Sequence, residues 1–218
     1  MVPDQLHEAM ALLTEAVTRW QTPAVTIVSQ REDDPFKVLI SCLLSLRTQD
    51  RTTGPAAKRL FALADTPEKM VALSPETIEA AIYPVGFYRT KALTVLNVCG
   101  TLLDNYGGVV PDDLDELLKL KGVGRKTANL VVTLGFGKPG ICVDTHVHRI
   151  CNRWGYVETR TPEETEYALR QKLPRRYWLV INDLLVTFGQ NHCAPISPRC
   201  STCMIAHLCD RRGVGKSR

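Results

Sequence analysis

Three groups of residues in this 218-residue chain have the types and spacing that chemistry requires. The first is Lys126, which closes the run Leu120-Lys121-Gly122-Val123-Gly124-Arg125-Lys126. A lysine amine is a nucleophile only when neutral, and a place in the first turn of a helix, beside Arg125, disfavours its protonated form. Such a lysine either attacks a sugar C1′ and forms a Schiff base or serves as a cationic contact to phosphate. The second is Asp144, 18 residues on, in Val143-Asp144-Thr145-His146-Val147-His148-Arg149. It precedes an amphipathic segment and is expected to cap that helix through backbone N–H groups, which fixes the direction of its carboxylate. So held, it can stabilise positive charge on a sugar as a base departs, or move protons. The third group is Cys193, Cys200, Cys203 and Cys209, separated by six, two and five residues. Four thiolates at short spacing hold either zinc or an iron–sulfur cluster.

These residues need elements to place them. Gly122 and Gly124 flank one apolar residue between two helical segments, 112–119 and 124–136, which reads as a helix-hairpin-helix. The glycines let the backbone turn tightly and approach another molecule, while Val123 plugs the space between the helices. The amides at the start of the second helix face a phosphate, and Lys121, Arg125 and Lys126 add positive charge, so the hairpin is expected to bind DNA. A plain turn is the alternative. Elsewhere Leu6, Ala9, Met10, Leu13, Ala16, Val17 and Trp20 keep a helical rhythm, as do Phe36, Leu39, Ile40, Leu43 and Leu44. The same spacing recurs through 90–106, 143–154, 163–172 and 176–189, and no segment alternates with period two. The fold is therefore expected to be all-α. Breaks are expected at Pro23, Asp33-Asp34-Pro35, Thr66-Pro67, Ser74-Pro75, Pro84 to Gly86, Gly107-Gly108, Pro139-Gly140 and Thr161-Pro162.

Composition sets the class. With 44% hydrophobic and 23% charged residues the chain can bury a sizeable core, which excludes overall disorder. No stretch approaches the roughly 20 apolar residues of a membrane span, and the start lacks the pattern of a secretory signal, so a cytosolic monomer away from membranes is expected. Positive charge is concentrated late: residues 1–110 carry 10 Lys or Arg against 12 Asp or Glu, whereas 111–218 carry 17 against 11. The second half is where a polyanion should bind. Cys42, Cys99, Cys142 and Cys151 sit in apolar runs and are expected to be small buried hydrophobes, without disulfides.

In LKGVGRKTANLVV, the 18-residue gap, VDTHVHRICNR and the order of the four late cysteines, the chain resembles the endonuclease III family over nearly its whole length. The resemblance implies two domains: a six-helix barrel with the helix-hairpin-helix at 28–138, and an iron–sulfur domain joining 1–27 to 139–218. It implies a bifunctional DNA glycosylase and abasic-site lyase of base excision repair, acting in the cytoplasm on duplex DNA that contains oxidised pyrimidines or abasic sites. Lys126 would be the nucleophile, Asp144 the catalytic aspartate and His146 a DNA contact. A [4Fe–4S] cluster would sit on Cys193, Cys200, Cys203 and Cys209, and β-elimination would cut 3′ to the abasic site.

Some positions depart from the best-known bacterial pattern. Lys121 stands where a proline is common. Arg47 falls where many members have a glutamine that fills the gap left by a flipped base, and arginine can stack and hydrogen bond there. Phe87 falls where a smaller apolar wedge is usual; it is either wedge or core aromatic. Of the basic residues expected in the loop 194–199, only Arg199 is present, with Arg211, Arg212, Lys216 and Arg218 either compensating or forming a frayed tail.

Overall fold

Four helices begin with the same local device, a short polar side chain followed by proline. The Asp34 carboxylate accepts from the Phe36 amide, and the hydroxyls of Thr66, Ser74 and Thr161 accept from Lys69, Thr77 and Glu164. Each cap satisfies an amide that the helix leaves open, and proline supplies a preset φ where no donor is needed. The computed structural model describes residues 3–20 and 34–218. It divides into two compact units: Ala24–Gly140, and Met1–Pro23 together with Ile141–Arg218. The breaks expected at Pro23 and Asp33, and the junction expected at 27–28, lie outside the described residues. Among the described residues there is no strand, and no helix is long and apolar enough to cross a membrane.

The split unit opens with α1 (Pro3–Val17). In the other unit follow α2 (Pro35–Ser45), α3 (Asp50–Leu63), α4 (Pro67–Val71), α5 (Pro75–Ile82), α6 (Tyr88–Tyr106), α7 (Leu114–Lys119) and α8 (Arg125–Leu130). The centre of this unit is α2, where Phe36 and Val38 to Leu44 are all buried. A helix with so little polar face must be enclosed, and α2 packs on α3, α6, α8 and the segment after α8. The split unit then adds α9 (Thr145–Arg153), α10 (Pro162–Lys172) and α11 (Ile181–Asn191), with α9 and α1 both against α11. Its core gathers Leu6, Met10, Ile150, Trp154, Tyr156 and Phe188.

Three elements differ from the sequence expectation. Periodicity gives no sign of α3, which contains Gly54 and Pro55; burial of Ala56, Ala57 and Leu60 outweighs the breakers. The expected helix 124–136 is α-helical only to Leu130 and widens into a π-helical turn, Val131–Gly135. There the Thr133 hydroxyl donates to the carbonyls of Asn129 (2.8 Å) and Leu130 (3.2 Å), competing with the regular ladder. The expected helix 176–189 is a 3₁₀ turn, Arg175–Tyr177, followed by α11 from Ile181. The Trp178 indole N–H donates back to the Leu173 carbonyl (2.9 Å), holding the chain in a turn between the two.

Because α2 is packed by so many elements, truncation within it leaves a cavity that cannot collapse. Leu39 is fully buried, and Leu39→Ala is expected to lower the stability of the chain by about 2–5 kcal/mol in denaturant titration.

Candidate active site

The hairpin is built from its ends inward. Asp113 caps α7 by accepting from the amides of Asp115 and Glu116, and Leu120 ends that helix with its side chain buried. Gly122 takes φ +92°, and a Cβ there would meet the Thr94 side chain at 2.7 Å, so only glycine fits. Val123 turns inward and is buried, while Lys121, Gly122 and Gly124 are exposed. The expected plug and the expected outward backbone are both in place. Arg125 and Lys126 begin α8, both half-buried. Lys126 sits close enough to act electrostatically on the thiol of Cys42 in α2. Burial, against a smaller downward pull from the lysine, pushes that thiol up to about 12, so Cys42 stays an inert thiol.

In the split unit Asp144 caps α9. Its Oδ1 accepts from the amides of His146 (2.8 Å) and Val147 (2.9 Å), and its Oδ2 lies 2.7 Å from His146 Nδ1. The Asp144 side chain is buried, fixed beside the half-buried imidazole of His146. Lys126 and Asp144 thus belong to different units, each held rigidly by the start of its own helix.

Arg47 and Phe87 come together, although 40 residues separate them. Both adopt left-handed backbone, φ +53° and +59°, which costs roughly 1–2 kcal/mol at each non-glycine residue. The guanidinium carbon lies 5.6 Å from the Phe87 ring centroid, a cation–π stack. Phe87 is 62% exposed, which removes the core-aromatic alternative. Gly86 makes the approach possible: a Cβ there would lie 2.8 Å from the Arg47 carbonyl oxygen. Sequence reading missed the groups that hold this pair, Thr48 and Lys91. Lys91 is 7% exposed and lies on the stripe of α6 that buries Val95, Val98 and Leu102; a lysine in register with that apolar stripe was the available signal. Burial brings its ammonium down to about 8.

Cys193, Cys200, Cys203 and Cys209 line one cavity with Trp154, Phe188 and Ile205. Burial chiefly, with the other three thiols adding to it against a backbone hydrogen bond at Ile205, pushes the Cys203 thiol up to about 11. Four thiols lining one cavity suit a cationic, thiophilic group that would bind them together as thiolates. Among the described residues no set of three His, Cys, Asp or Glu side chains is placed to hold a single metal ion. Arg153, buried and also missed in the sequence, donates to Cys193 Sγ (3.3 Å) and to the carbonyls of Ala194 and Pro195 (both 2.7 Å). The Arg211 amide lies 3.4 Å from Cys209 Sγ. The other four cysteines are buried, as expected.

Arg199 is exposed on the cysteine loop. The C-terminal tail is not frayed: the Ser201 amide donates to the Arg218 carbonyl (2.9 Å), and the Arg218 amide donates to that of Pro198 (2.8 Å). Arg212 is engaged by Asp210 (3.1 Å) and Glu158 (3.2 Å), so its charge is already partnered within the chain.

The cap at Asp144 separates two roles of one side chain. Asp144→Asn keeps an acceptor for the two amides and is expected to change the melting temperature little. Asp144→Ala removes it and is expected to cost about 0.5–2 kcal/mol.

A family model described as HhH-GPD superfamily base excision DNA repair protein matches residues 40–175. Endonuclease III of Thermotoga maritima is 49% identical over 193 residues, covering 87% of this chain and 91% of that protein. The solved structure of a non-covalent endonuclease III–DNA complex matches with a TM-score of 0.85 at 35% identity, covering 97% of this chain and 96% of that one. That of a trapped endonuclease III–DNA covalent intermediate matches with a TM-score of 0.77 at 41% identity, covering 82% and 84%. A family model over more than half of its length and a relative this similar across nearly its whole length show that this chain belongs to the endonuclease III family of HhH-GPD base excision repair proteins.

Proposed function

We propose that this protein is a bifunctional DNA glycosylase and abasic-site lyase that removes oxidised pyrimidines from duplex DNA through a Schiff base on Lys126. The observation that carries the reading is the position of Lys126: second residue of α8, half-buried, directly after an exposed Gly-Val-Gly turn whose valine is locked in the core. The exposed hairpin backbone with Lys121 and Arg125 takes a phosphate and presents the lysine to the adjoining sugar. With the target nucleotide flipped out of the stack, the Lys126 amine attacks C1′ and the glycosidic electrons leave with the base. Ring opening gives an imine. Loss of a C2′ proton then breaks the C3′–O bond, which cuts the strand 3′ to the site, and water releases the lysine.

Asp144, fixed by two amides and the His146 ring, is suited to stabilise the positive charge on the sugar as the base departs. Arg47 fills the vacated gap and Phe87 is the wedge beside it, with His146 and Arg199 as further DNA contacts. On this reading Ala24–Gly140 is the hairpin domain, and Met1–Pro23 with Ile141–Arg218 is the cluster domain. The protein would work in the cytoplasm, on the nucleoid.

Cys193, Cys200, Cys203 and Cys209 would hold a [4Fe–4S] cluster, which supplies structural cross-linking and a redox-capable charge when bound. Arg153 would tune it by donating to Cys193 Sγ and by fixing the loop that carries it.

Borohydride trapping on a thymine-glycol duplex tests the chemistry. The native protein is expected to give a covalent adduct, Lys126→Ala none, and Asp144→Asn a base-release rate about 10²–10³-fold lower. An adduct that persists in Lys126→Ala removes this lysine from the mechanism. The cofactor is tested separately: anaerobically purified protein is expected to contain iron and labile sulfide in equal amounts, and colourless protein loaded with zinc contradicts the cluster.

A further inference from the structure

The side-chain nitrogen of Lys91, in the first turn of α6, fastens the turn after α2, and Thr48 in that turn reaches on to the turn before α6. It donates to the carbonyls of Leu44 (2.7 Å) and Leu46 (2.5 Å) and to the Thr48 hydroxyl (3.0 Å). An ammonium has three N–H groups, and each has one of these acceptors. Leu44 is in the last turn of α2, where a helix leaves carbonyls open and attracts a cation, and Leu46 is the residue that ends the helix. The third, Thr48 Oγ1, also accepts from the Gly86 amide (3.1 Å). The Lys91 amide donates to the Phe87 carbonyl (3.0 Å), so the residue holds one turn with its side chain and the other with its backbone. Arg47 lies between Leu46 and Thr48, and Phe87 follows Gly86.

We propose that Lys91 is the positioning residue of a DNA-inserting tip, keeping Arg47 and Phe87 in left-handed backbone and stacked on each other before DNA arrives. The proposal rests on the reading of Arg47 as gap filler and Phe87 as wedge. Two exposed side chains on strained backbone relax away from each other unless a buried anchor over-determines the turns beneath them. Among the described residues, the hydrogen-bond partners of the ammonium are three neutral oxygens of one turn, so its contacts specify loop geometry. A tip that is ordered in advance loses less freedom on insertion and discriminates a gap more sharply from intact duplex.

The test uses the full chain and two duplexes, one unmodified and one with a stable tetrahydrofuran abasic analogue opposite 2-aminopurine. Lys91→Met fills the same space without donors. It is expected to cut the preference for the abasic duplex about tenfold and to reduce the change in 2-aminopurine fluorescence on binding. In an Arg47→Ala/Phe87→Ala background the same substitution is expected to change that preference less than about twofold. An undiminished preference in Lys91→Met, or an equal loss in both backgrounds, overturns the proposal. If Arg47→Ala/Phe87→Ala alone leaves the preference intact, the gap-filler and wedge reading falls first, and its failure is distinguished from that of Lys91. Should Lys91→Met not fold, Thr48→Val breaks the link to Gly86 and leaves two of the three bonds. It is expected to lower the preference about threefold, and no loss overturns the proposal.

Discussion

A buried cation must find oxygen, and in this chain it finds the carbonyls of irregular turns. Lys91 binds the end of α2, and Arg153 binds the Ala194 and Pro195 carbonyls beside the first cysteine of the cavity. Arg59 does the same more openly, donating to the carbonyls of Ala81 and Tyr83 at the end of α5. An all-helical fold has no sheet to fix the loops that carry its chemistry. Helix ends leave open carbonyls, and a positive side chain rooted in a neighbouring helix satisfies them and fixes the loop together.

That constraint explains why the residues with chemical roles lie at helix starts and in the turns between helices. Lys126 and Asp144 stand at helix starts, where Asp144 accepts from the open amides, and Lys91 and Arg153 bind the carbonyls of the turns. Helix interiors supply the rigid core: α2 with nearly every residue buried, and α11 with α9 and α1 packed on it. Rigid helices with function at their ends let the loops vary, as at Arg47 and Phe87, without disturbing the core.

The cysteine cavity follows the same logic. Its four thiols line one cavity, the others raise the proton affinity of Cys203, and two N–H groups already point at the sulfurs of Cys193 and Cys209. Such a site is unfavourable as four thiolates alone and favourable once a cationic group joins them. The C-terminal tail returns to the loop between the first two cysteines, so the chain end braces the cavity.

Much of this was legible in the sequence, because local patterns carry it. The helical faces of α1 and α2, the Gly-Val-Gly turn, the cap at Asp144 and the cysteine spacing each lie within one element or one loop. The tertiary structure alone decided the rest. Phe87 is exposed and stacks on Arg47, 40 residues away, and Lys91 finds its acceptors 43 to 47 residues before it. The helix 50–63 forms across its own proline because burial against other segments outweighs local preference. Short-range sequence encodes which backbone groups a helix leaves open. Only the folded chain shows which distant side chain fills them.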